Sequence, residues 1–324
     1  MTVIDPGFLT TVQDQGRRGY MDRGFSPAGA LDGFSFRLAN FLVGNPLEEA
    51  ALEITLRGPS MMFDGAGFIA LTGADIQPLL NGKPLAMNRS AAVAPGDILY
   101  TSFALCGLRS YLAVAGGLDI AKVLGSRSTN LKARLGGFKG RKLESQDHIK
   151  FPRIPPGEHG IQSCEGRSFV PPRRGILKGL GLIRPYTPAE PLLLHVAEGR
   201  QARLFSLRGL RTFYGSLYTV ENDSDRMGIR LEGPAVAAAG DAGIVSDGIA
   251  LGAVQVPGSG KPIVLLHDRQ TTGGYAKIGA VITRDLWLLA QAPGGSAVRF
   301  KRIDPRRAER IYIKTEKTIK LLMS

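Results

Sequence analysis

Short apolar runs, each bounded by turn-forming residues, are the main pattern along the chain. Glycine, proline, asparagine and aspartate interrupt these runs before they reach helical length, which favours short strands over long helices. The clearest runs are Met61–Phe63, Phe68–Leu71, Ala91–Val93, Ser110–Val114 and Ile263–Leu266. We therefore predict a mainly β protein with a few helices.

One early segment has helical spacing. Phe34, Leu38 and Leu42 recur at intervals of four residues, and Asp32 stands where a helix N-cap is expected. Glycine and proline within Gly44–Pro46 oppose continuation of a helix. The pattern predicts one helix from about residue 33 to residue 43.

The length and the prolines predict two halves. A chain of 324 residues fits two domains at roughly 100–200 residues each. Prolines concentrate between residues 152 and 190, as in a linker or a long irregular excursion. We predict an N-terminal half at 1–152, a proline-rich linker at 153–190 and a C-terminal half at 191–324 that ends in a basic helix.

Positive charge is concentrated near the C-terminus. The chain has a net charge of +13, and Arg299–Lys320 holds nine Lys or Arg against three Asp or Glu. Asp304 and Pro305 are typical of a helix start, so a solvated helix is one interpretation and a docking face for an acidic partner is another. The segment lacks interleaved aromatic residues, which argues against nucleic-acid binding.

Cysteine content and hydropathy indicate the compartment. Two cysteines are too few for a disulfide framework. No signal-peptide pattern begins the sequence, and no apolar run reaches the ~20 residues that span a bilayer. We expect a cytoplasmic protein without a membrane partner.

The sequence departs from several familiar catalytic and cofactor-binding motifs. Gly258–Lys261 resembles part of a phosphate-binding loop, but Gln255 and Pro262 occupy two of its required positions. We predict instead a tight turn between two strands. The four histidines do not have metal-ligand spacing, so we predict no metal site. The chain has no Met-Lys-Met biotin acceptor, so it does not itself carry biotin.

Polar clusters in the second half interrupt apolar strands. Gln270–Tyr275 follows Ile263–Leu266 closely and offers an amide, hydroxyls and backbone N–H groups, which could form an anion-binding nest around its two glycines. A hairpin with both glycines at positive φ is the structural alternative. The individual candidates are Gln270, Thr271, Thr272, Gly273, Gly274, Tyr275, Asp225, Arg226, Ser246, Asp247, Gln255 and Asp268.

Two loops in the first half combine arginine, hydroxyl groups and glycine, a composition suited to oxyanion binding. Local side-chain-to-backbone bonding explains them equally well. The candidates there are Asp14, Arg17, Arg127, Ser128 and Thr129.

Taken in order, these segments resemble the allophanate hydrolase subunit 2 family, also called the biotin-dependent carboxyltransferase family. The resemblance runs nearly end to end and is weakest at about 151–215. The motifs that carry it are Thr11–Asp14, Gly29–Asp32, Leu42–Asn45, Ala51–Leu56, Leu71–Ala74, Tyr111–Gly117, Gly125–Thr129, Arg226–Gly228, Ser246–Gly248, Gln255–Pro257 and Gln270–Tyr275.

The resemblance implies a fold, partners and a reaction. The fold is two cyclophilin-like β-barrel subdomains, and the partners are a KipI-like B subunit and an A subunit. The family includes the C subunit of ATP-dependent 5-oxoprolinase, which belongs to a complex that converts 5-oxoproline to glutamate. The ATP is used by that complex, at an unknown site.

Two other functions remain open from the sequence. In urea carboxylase the related domain moves a carboxyl group from biotin, held on a separate carrier, to urea, and a KipA-type member regulates through its partner. For the amidohydrolase we expect the arginines and loop amides to stabilise an anionic group, with Asp247 or Asp268 as the general base if burial raises its pKa.

Overall fold

The computed structural model describes residues 1–153, 166–168, 190–240 and 243–323. The predicted linker therefore lies almost wholly outside the described residues, and the predicted domain boundaries stay a prediction. The described residues form two compact units. The first contains Met1–Tyr20 and the described residues from 27 to 168, and the second contains Met21–Ser26 and the described residues from 190 to 323.

Ten strands build the first unit, and all their pairings are antiparallel. They are β1 (Thr2–Asp5), β2 (Leu9–Gln13), β3 (Ala51–Thr55), β4 (Ser60–Met62), β5 (Gly67–Gly73), β6 (Leu79–Leu80), β7 (Lys83–Pro84), β8 (Ser90–Val93), β9 (Ile98–Tyr100) and β10 (Arg109–Val114). They form two five-stranded sheets, ordered β1-β4-β9-β6-β7 and β2-β3-β10-β5-β8.

The core of the first unit explains why β10 is apolar throughout. Leu112 and Val114 on one face of β10 join the buried cluster that also contains Val3 and Met61. Alternate residues of a strand point to opposite faces. On the other face the Tyr111 ring meets Phe36 edge-on, with 6.1 Å between ring centroids. Every residue of β10 is therefore buried.

Phe36 belongs to α1 (Gly33–Leu42), which lies where the apolar spacing predicted a helix. Asp32 caps it, because its Oδ1 accepts hydrogen bonds from the backbone N–H groups of Phe34 and Ser35, each at 3.1 Å. Gly44 follows the helix with φ +73°, a conformation that favours glycine. The predicted helix and its end are confirmed.

Nine strands lie in the described part of the second unit. They are β11 (Leu192–Glu198), β12 (Leu217–Val220), β13 (Gly228–Glu232), β14 (Gly243–Gly248), β15 (Ala253–Gln255), β16 (Ile263–Leu265), β17 (Thr272–Tyr275), β18 (Lys277–Val281) and β19 (Ala297–Ile303). Seven of them close into a barrel, in the order β11-β18-β15-β16-β13-β12-β19. β14 and β17 pair only with each other.

The barrel closes through a pairing that links distant parts of the sequence. β11 runs parallel to β19, with Leu194 opposite Phe300. Phe300 stacks on Phe213 inside the unit, with 4.3 Å between ring centroids. β15 and β16 pair antiparallel on either side of Gly258–Lys261, which confirms the predicted turn there.

Three α-helices complete the described part of the second unit: α2 (Leu207–Gly215), α3 (Thr283–Leu289) and α4 (Pro305–Leu322). α4 is the predicted basic helix. It is capped by Asp304, which accepts hydrogen bonds from the N–H groups of Arg306 and Arg307. Within the described ranges, the protein is mainly β with four α-helices, as predicted, and no helix is long and apolar enough to cross a membrane.

Candidate active site

A two-stranded ribbon gathers most of the candidate residues of the second half. β14 and β17 pair so that Asp247 lies opposite Gly273 and Gly248 lies opposite Thr272. The backbone N–H of Ile249 extends this pairing by donating to the carbonyl of Thr271 at 3.0 Å. The ribbon therefore brings Ser246 and Asp247 beside Gln270–Tyr275.

Gly273 and Gly274 belong to extended strand β17, and neither has a positive φ. An anion-binding nest requires backbone that alternates between right- and left-handed conformations. The predicted nest is therefore wrong at this glycine pair. The alternative, a hairpin with both glycines at positive φ, is wrong for the same reason.

The lack of a side chain at Gly273 has a steric cause. A Cβ there would lie 2.8 Å from Ile249 Cδ1 and 3.1 Å from Gln255 Nε2. The same Cβ position is 3.6 Å from Gln270 Nε2. Two side-chain amides thus converge on Gly273, and Gln255 Nε2 also donates to the carbonyl oxygen of Tyr275 at 3.4 Å.

Two buried polar atoms beside the ribbon have no hydrogen-bond partner among the described residues: Gln270 Oε1 and Lys277 Nζ. The Lys277 side chain is only 11% exposed, and its ammonium nitrogen lies 3.4 Å from Asp247 Oδ2. Burying polar groups without partners is costly. Gln270 Oε1 is therefore available to accept a hydrogen bond from a ligand, and Lys277 Nζ can still donate to a ligand beside its ion pair with Asp247.

Lys277 and its neighbour Gln201 were missed by the sequence analysis. Gln201 links two parts of the site, because its Nε2 donates to Asp247 Oδ2 at 2.9 Å and its Oε1 accepts from the N–H of Lys277 at 3.0 Å. The available signal was a lysine two residues beyond Tyr275 inside an apolar strand. Gln201 lies in a 3₁₀ helix (Arg200–Leu204) that carried no motif.

Asp247 is an exposed carboxylate whose oxygens are already engaged. The hydrogen bond from the N–H of Gly248, followed by the nearby positive charge of Lys277, lowers the pKa of Asp247 below its ordinary value. A lowered pKa makes a carboxylate a weaker proton acceptor. This environment suits Asp247 to holding Lys277 in place.

Arg226 and Asp268 form a buried, two-bond ion pair. Arg226 Nε donates to Asp268 Oδ2 at 3.0 Å, and Arg226 Nη2 donates to Asp268 Oδ1 at 3.1 Å. The backbones are also joined, because the N–H of Asp268 donates to the carbonyl of Arg226. The carboxylate that Arg226 clamps is thus one of the protein's own.

Residues on either side of this pair bind backbone groups. Asp225 Oδ1 accepts hydrogen bonds from the N–H groups of Met227 and Gly228, which shapes the turn before β13. Arg269 is buried and donates through Nε to the carbonyl of Ile249 at 2.9 Å. Burial lowers the pKa of Arg269 to about 10.

In the first unit, Asp14 organises the loop that contains the other candidates. Its Oδ1 accepts hydrogen bonds from Ser126 Oγ at 2.7 Å and Ser128 Oγ at 2.5 Å, and its Oδ2 accepts one from the N–H of Arg127 at 2.6 Å. The N–H of Gly16 donates to Oδ1 as well. Four donors on one buried carboxylate make Asp14 a structural centre of this loop.

The remaining first-unit candidates bind backbone or a neighbouring carboxylate. Arg17 is fully buried and donates to the carbonyls of Val123 and Ser128, both at 3.0 Å. Thr129 donates from Oγ1 to the carbonyl of Val12. Arg127 forms an ion pair with Glu49 at 3.2 Å. The contacts of Asp14, Arg17, Ser128 and Thr129 thus join the two loops, and their proposed role in oxyanion binding stays a prediction.

No group of three or more His, Cys, Asp or Glu side chains in the described ranges could hold a metal ion. The chemistry available at the ribbon is electrostatic. One buried ammonium and two side-chain amides can bind an anionic or amide-containing ligand.

The fold and the motifs agree with a family comparison. A model described as "Carboxyltransferase domain, subdomain A and B" matches residues 23–302. The chain belongs to this family. The family predicted from the ordered motifs is thereby confirmed.

Members of this carboxyltransferase family with similar sequences include two bacterial proteins. The chain is 37% identical to the 5-oxoprolinase C subunit of Escherichia coli K12 over 300 residues, which is 93% of this chain and 90% of the relative. It is 32% identical to the Haemophilus influenzae protein of the same name, over 97% of this chain and 94% of the relative.

A similar solved structure comes from a much longer protein. The K. lactis urea amidolyase structure matches with a TM-score of 0.88 and 31% identity over 99% of this chain. The chain spans only 20% of that structure's length. About a fifth of the K. lactis urea amidolyase chain therefore has the same fold as this chain.

Proposed function

We propose that the chain is the C subunit of an ATP-dependent 5-oxoprolinase, which hydrolyses 5-oxoproline to glutamate. The observation that carries this proposal is its similarity to two proteins named as the C subunit of 5-oxoprolinase, over at least 90% of each relative. In this proposal the chain acts in a cytoplasmic complex with a KipI-like B subunit and an A subunit.

The substrate chemistry fits the ribbon site. 5-Oxoproline carries a carboxylate and a lactam amide. Lys277 would pair with the carboxylate, while the amides of Gln255 and Gln270 would hydrogen-bond the lactam. Gln270 Oε1 is buried without a described partner and could accept from the lactam N–H.

The two aspartates suggested as bases take positioning roles in this proposal. Asp247 lies 3.4 Å from Lys277 Nζ and would orient it, and Asp268 would hold Arg226 through both of its oxygens. Both carboxylates are occupied by donors, which disfavours proton abstraction. In this proposal ATP is used by the complex, at a site that we do not assign to this chain. The segment that resembles part of a phosphate-binding loop, Gly258–Lys261, is a turn between paired strands.

A single purification tests this proposal. The tagged chain is isolated from its native cells with its companions, and the eluate is assayed for conversion of 5-oxoproline to glutamate. Glutamate that forms only with ATP and with companions present is the expected result. An eluate with intact companions that forms no glutamate would overturn the proposal.

A second candidate function rests on the urea amidolyase match, at a TM-score of 0.88. A carboxyltransferase half would move a carboxyl group from biotin on a separate carrier to urea or a related amide. A biotinylated protein in the eluate, with urea-dependent turnover, is the result that favours it. Stoichiometric companion binding without any turnover would favour a KipA-type regulatory protein instead.

A further inference from the structure

One side of α4 forms a shallow groove lined by basic and apolar side chains. It encloses about 320 Å³, and we call it the basic groove. Its lining residues are spaced three or four apart and so follow one side of the helix for three turns. They are Arg310, Ile313, Lys314, Lys317, Thr318 and Leu321.

The opposite side of α4 holds the helix on the second unit. Thr315 and Ile319 are buried there, and α4 contacts β11 and α3. In the groove, by contrast, Ile313 is 44% exposed and Leu321 is 78% exposed. One face of α4 is therefore packed against the second unit, and the groove lies on the opposite, exposed face.

The cations of the groove lack counter-ions. None of Arg310, Lys314 and Lys317 lies within ion-pair distance of a carboxylate in the described part of the chain. Like charges three or four residues apart destabilise a helix. α4 carries six Lys or Arg against two Glu, so this arrangement opposes helix formation. A ligand that supplies carboxylates would remove the repulsion.

We propose that the basic groove binds an acidic amphipathic helix of a companion protein. The i, i+3, i+4, i+7 spacing of its lining is the spacing over which a second helix packs. Ile313 and Leu321 would contact the apolar residues of that helix, and the unpaired cations would meet its Glu and Asp side chains. The identity of the companion as a member of the same complex rests on the proposed function.

The groove fits other macromolecules less well. Its lining contains no aromatic side chain on which nucleic-acid bases could stack. A helix that lies in a membrane interface needs a broad apolar face. Here the groove offers two large apolar side chains, while Ile319 is buried against the protein.

Photo-crosslinking within the assembled complex tests the proposal. The photoreactive residue p-benzoylphenylalanine replaces Thr318 in the tagged full-length chain, which is expressed in its native cells and irradiated. Mass spectrometry then locates the crosslink. We expect it to fall in a Glu- and Asp-rich helix of a co-purifying protein. A chain that assembles but forms no crosslink, or one that crosslinks to a segment without these features, overturns the proposal.

Charge reversal gives the quantitative test. The crosslinked protein is produced and its affinity measured for the chain carrying Arg310→Glu, Lys314→Glu and Lys317→Glu. We expect at least a tenfold weaker Kd. The control carries Arg203→Glu, Arg208→Glu and Arg211→Glu, an equal charge change at arginines elsewhere in the second unit, and should stay within twofold of wild type.

The remaining outcomes separate this proposal from the proposed function. An equal loss of affinity in both triple variants would mean that binding depends on general charge attraction, and it would overturn the proposed groove site. Binding of phosphatidylglycerol vesicles that depends on the groove, without a protein crosslink, would also overturn it. A groove-dependent crosslink in an eluate that forms no glutamate supports the groove while contradicting the 5-oxoprolinase reaction.

Discussion

Lys277 is the residue on which the proposed site depends most directly. Its side chain is largely buried, and its ammonium nitrogen forms an ion pair with Asp247 Oδ2 at 3.4 Å. Replacement by methionine keeps much of its length but removes the charge. Removing one donor that stabilises negative charge in a transition state typically costs ~10²–10³-fold in rate.

We therefore expect Lys277→Met to lower kcat/KM for 5-oxoproline at least a hundredfold in the assembled complex. The amount of companion protein that co-elutes should stay the same. Lys301→Met, at an exposed position of β19, is the matched control and should leave the rate unchanged. A wild-type rate in the Lys277→Met complex would show that Lys277 has no role in the reaction.

Arg226, unlike Lys277, has a structural role, because its guanidinium group binds the Asp268 carboxylate inside the protein. Removing it leaves the Asp268 carboxylate buried without its bidentate partner. Breaking such a buried pair typically costs about 3–5 kcal/mol. We expect Arg226→Met to lower the free energy of unfolding by this amount, as measured by urea denaturation.

The control for Arg226→Met is Arg230→Met in the same segment. Arg230 pairs with Asp223 at 3.7 Å, and both side chains are more than half exposed. Exposed pairs contribute about 0–1 kcal/mol. Equal destabilisation by the two substitutions would contradict a stabilising role for the buried pair.

At the scale of elements, the turn that contains Asp147 depends on one carboxylate. Asp147 accepts hydrogen bonds from Arg141 Nη1 at 2.6 Å and Nη2 at 2.8 Å, and from the N–H of Glu144 at 2.8 Å. The carbonyl of Asp147 also accepts from the N–H of Val3 in β1. The hydrogen bonds from Arg141 lower the pKa of Asp147 below its ordinary value.

The lowered pKa of Asp147 determines how its contribution to folding stability changes with pH. A carboxylate with a lowered pKa stabilises the folded state above its unfolded pKa of ~3.9, and that stabilisation is lost as pH falls through the folded value. We expect Asp147→Asn to be less stable than wild type at pH 7, with a smaller difference at pH 3. Urea denaturation at both values checks this. A difference that does not change with pH would contradict it, and Arg141→Gln should behave like Asp147→Asn.

Elements that depend on local sequence were predictable. α1 required only apolar residues four apart, the Asp32 cap and a glycine stop, all within a dozen residues. The basic helix required Asp304 and Pro305. In both cases the physical cause lies in neighbouring residues, so the sequence pattern was sufficient.

Elements that depend on long-range pairing were not predictable. The β14–β17 ribbon pairs residues that lie 24 to 32 positions apart in the sequence, and β11 pairs with β19 across more than 100 residues. The consequences for the site follow from these registers. Gly273 and Gly274 looked like turn glycines, yet they lie in a strand, where Gly273 makes room for Ile249 and Gln255. Lys277 enters the proposed site only through its contact with Asp247.

At the scale of the whole molecule, the chain's length relative to its relatives separates the two candidate reactions. It matches 90% of the Escherichia coli 5-oxoprolinase C subunit but only 20% of the K. lactis urea amidolyase structure. The sequence contains no Met-Lys-Met biotin acceptor. A biotin-dependent reaction would therefore need a carrier outside these 324 residues, whereas the proposed lactam hydrolysis needs no biotin.

Avidin distinguishes these reactions in the purified complex. Because avidin sequesters biotin on any carrier, we expect glutamate formation from 5-oxoproline to proceed at an unchanged rate in its excess. The Lys277→Met complex should be inactive with or without avidin. A turnover that avidin abolishes in the wild-type complex, and that biotin-saturated avidin leaves intact, would contradict the 5-oxoprolinase assignment. It would favour a biotin-dependent carboxyl transfer instead.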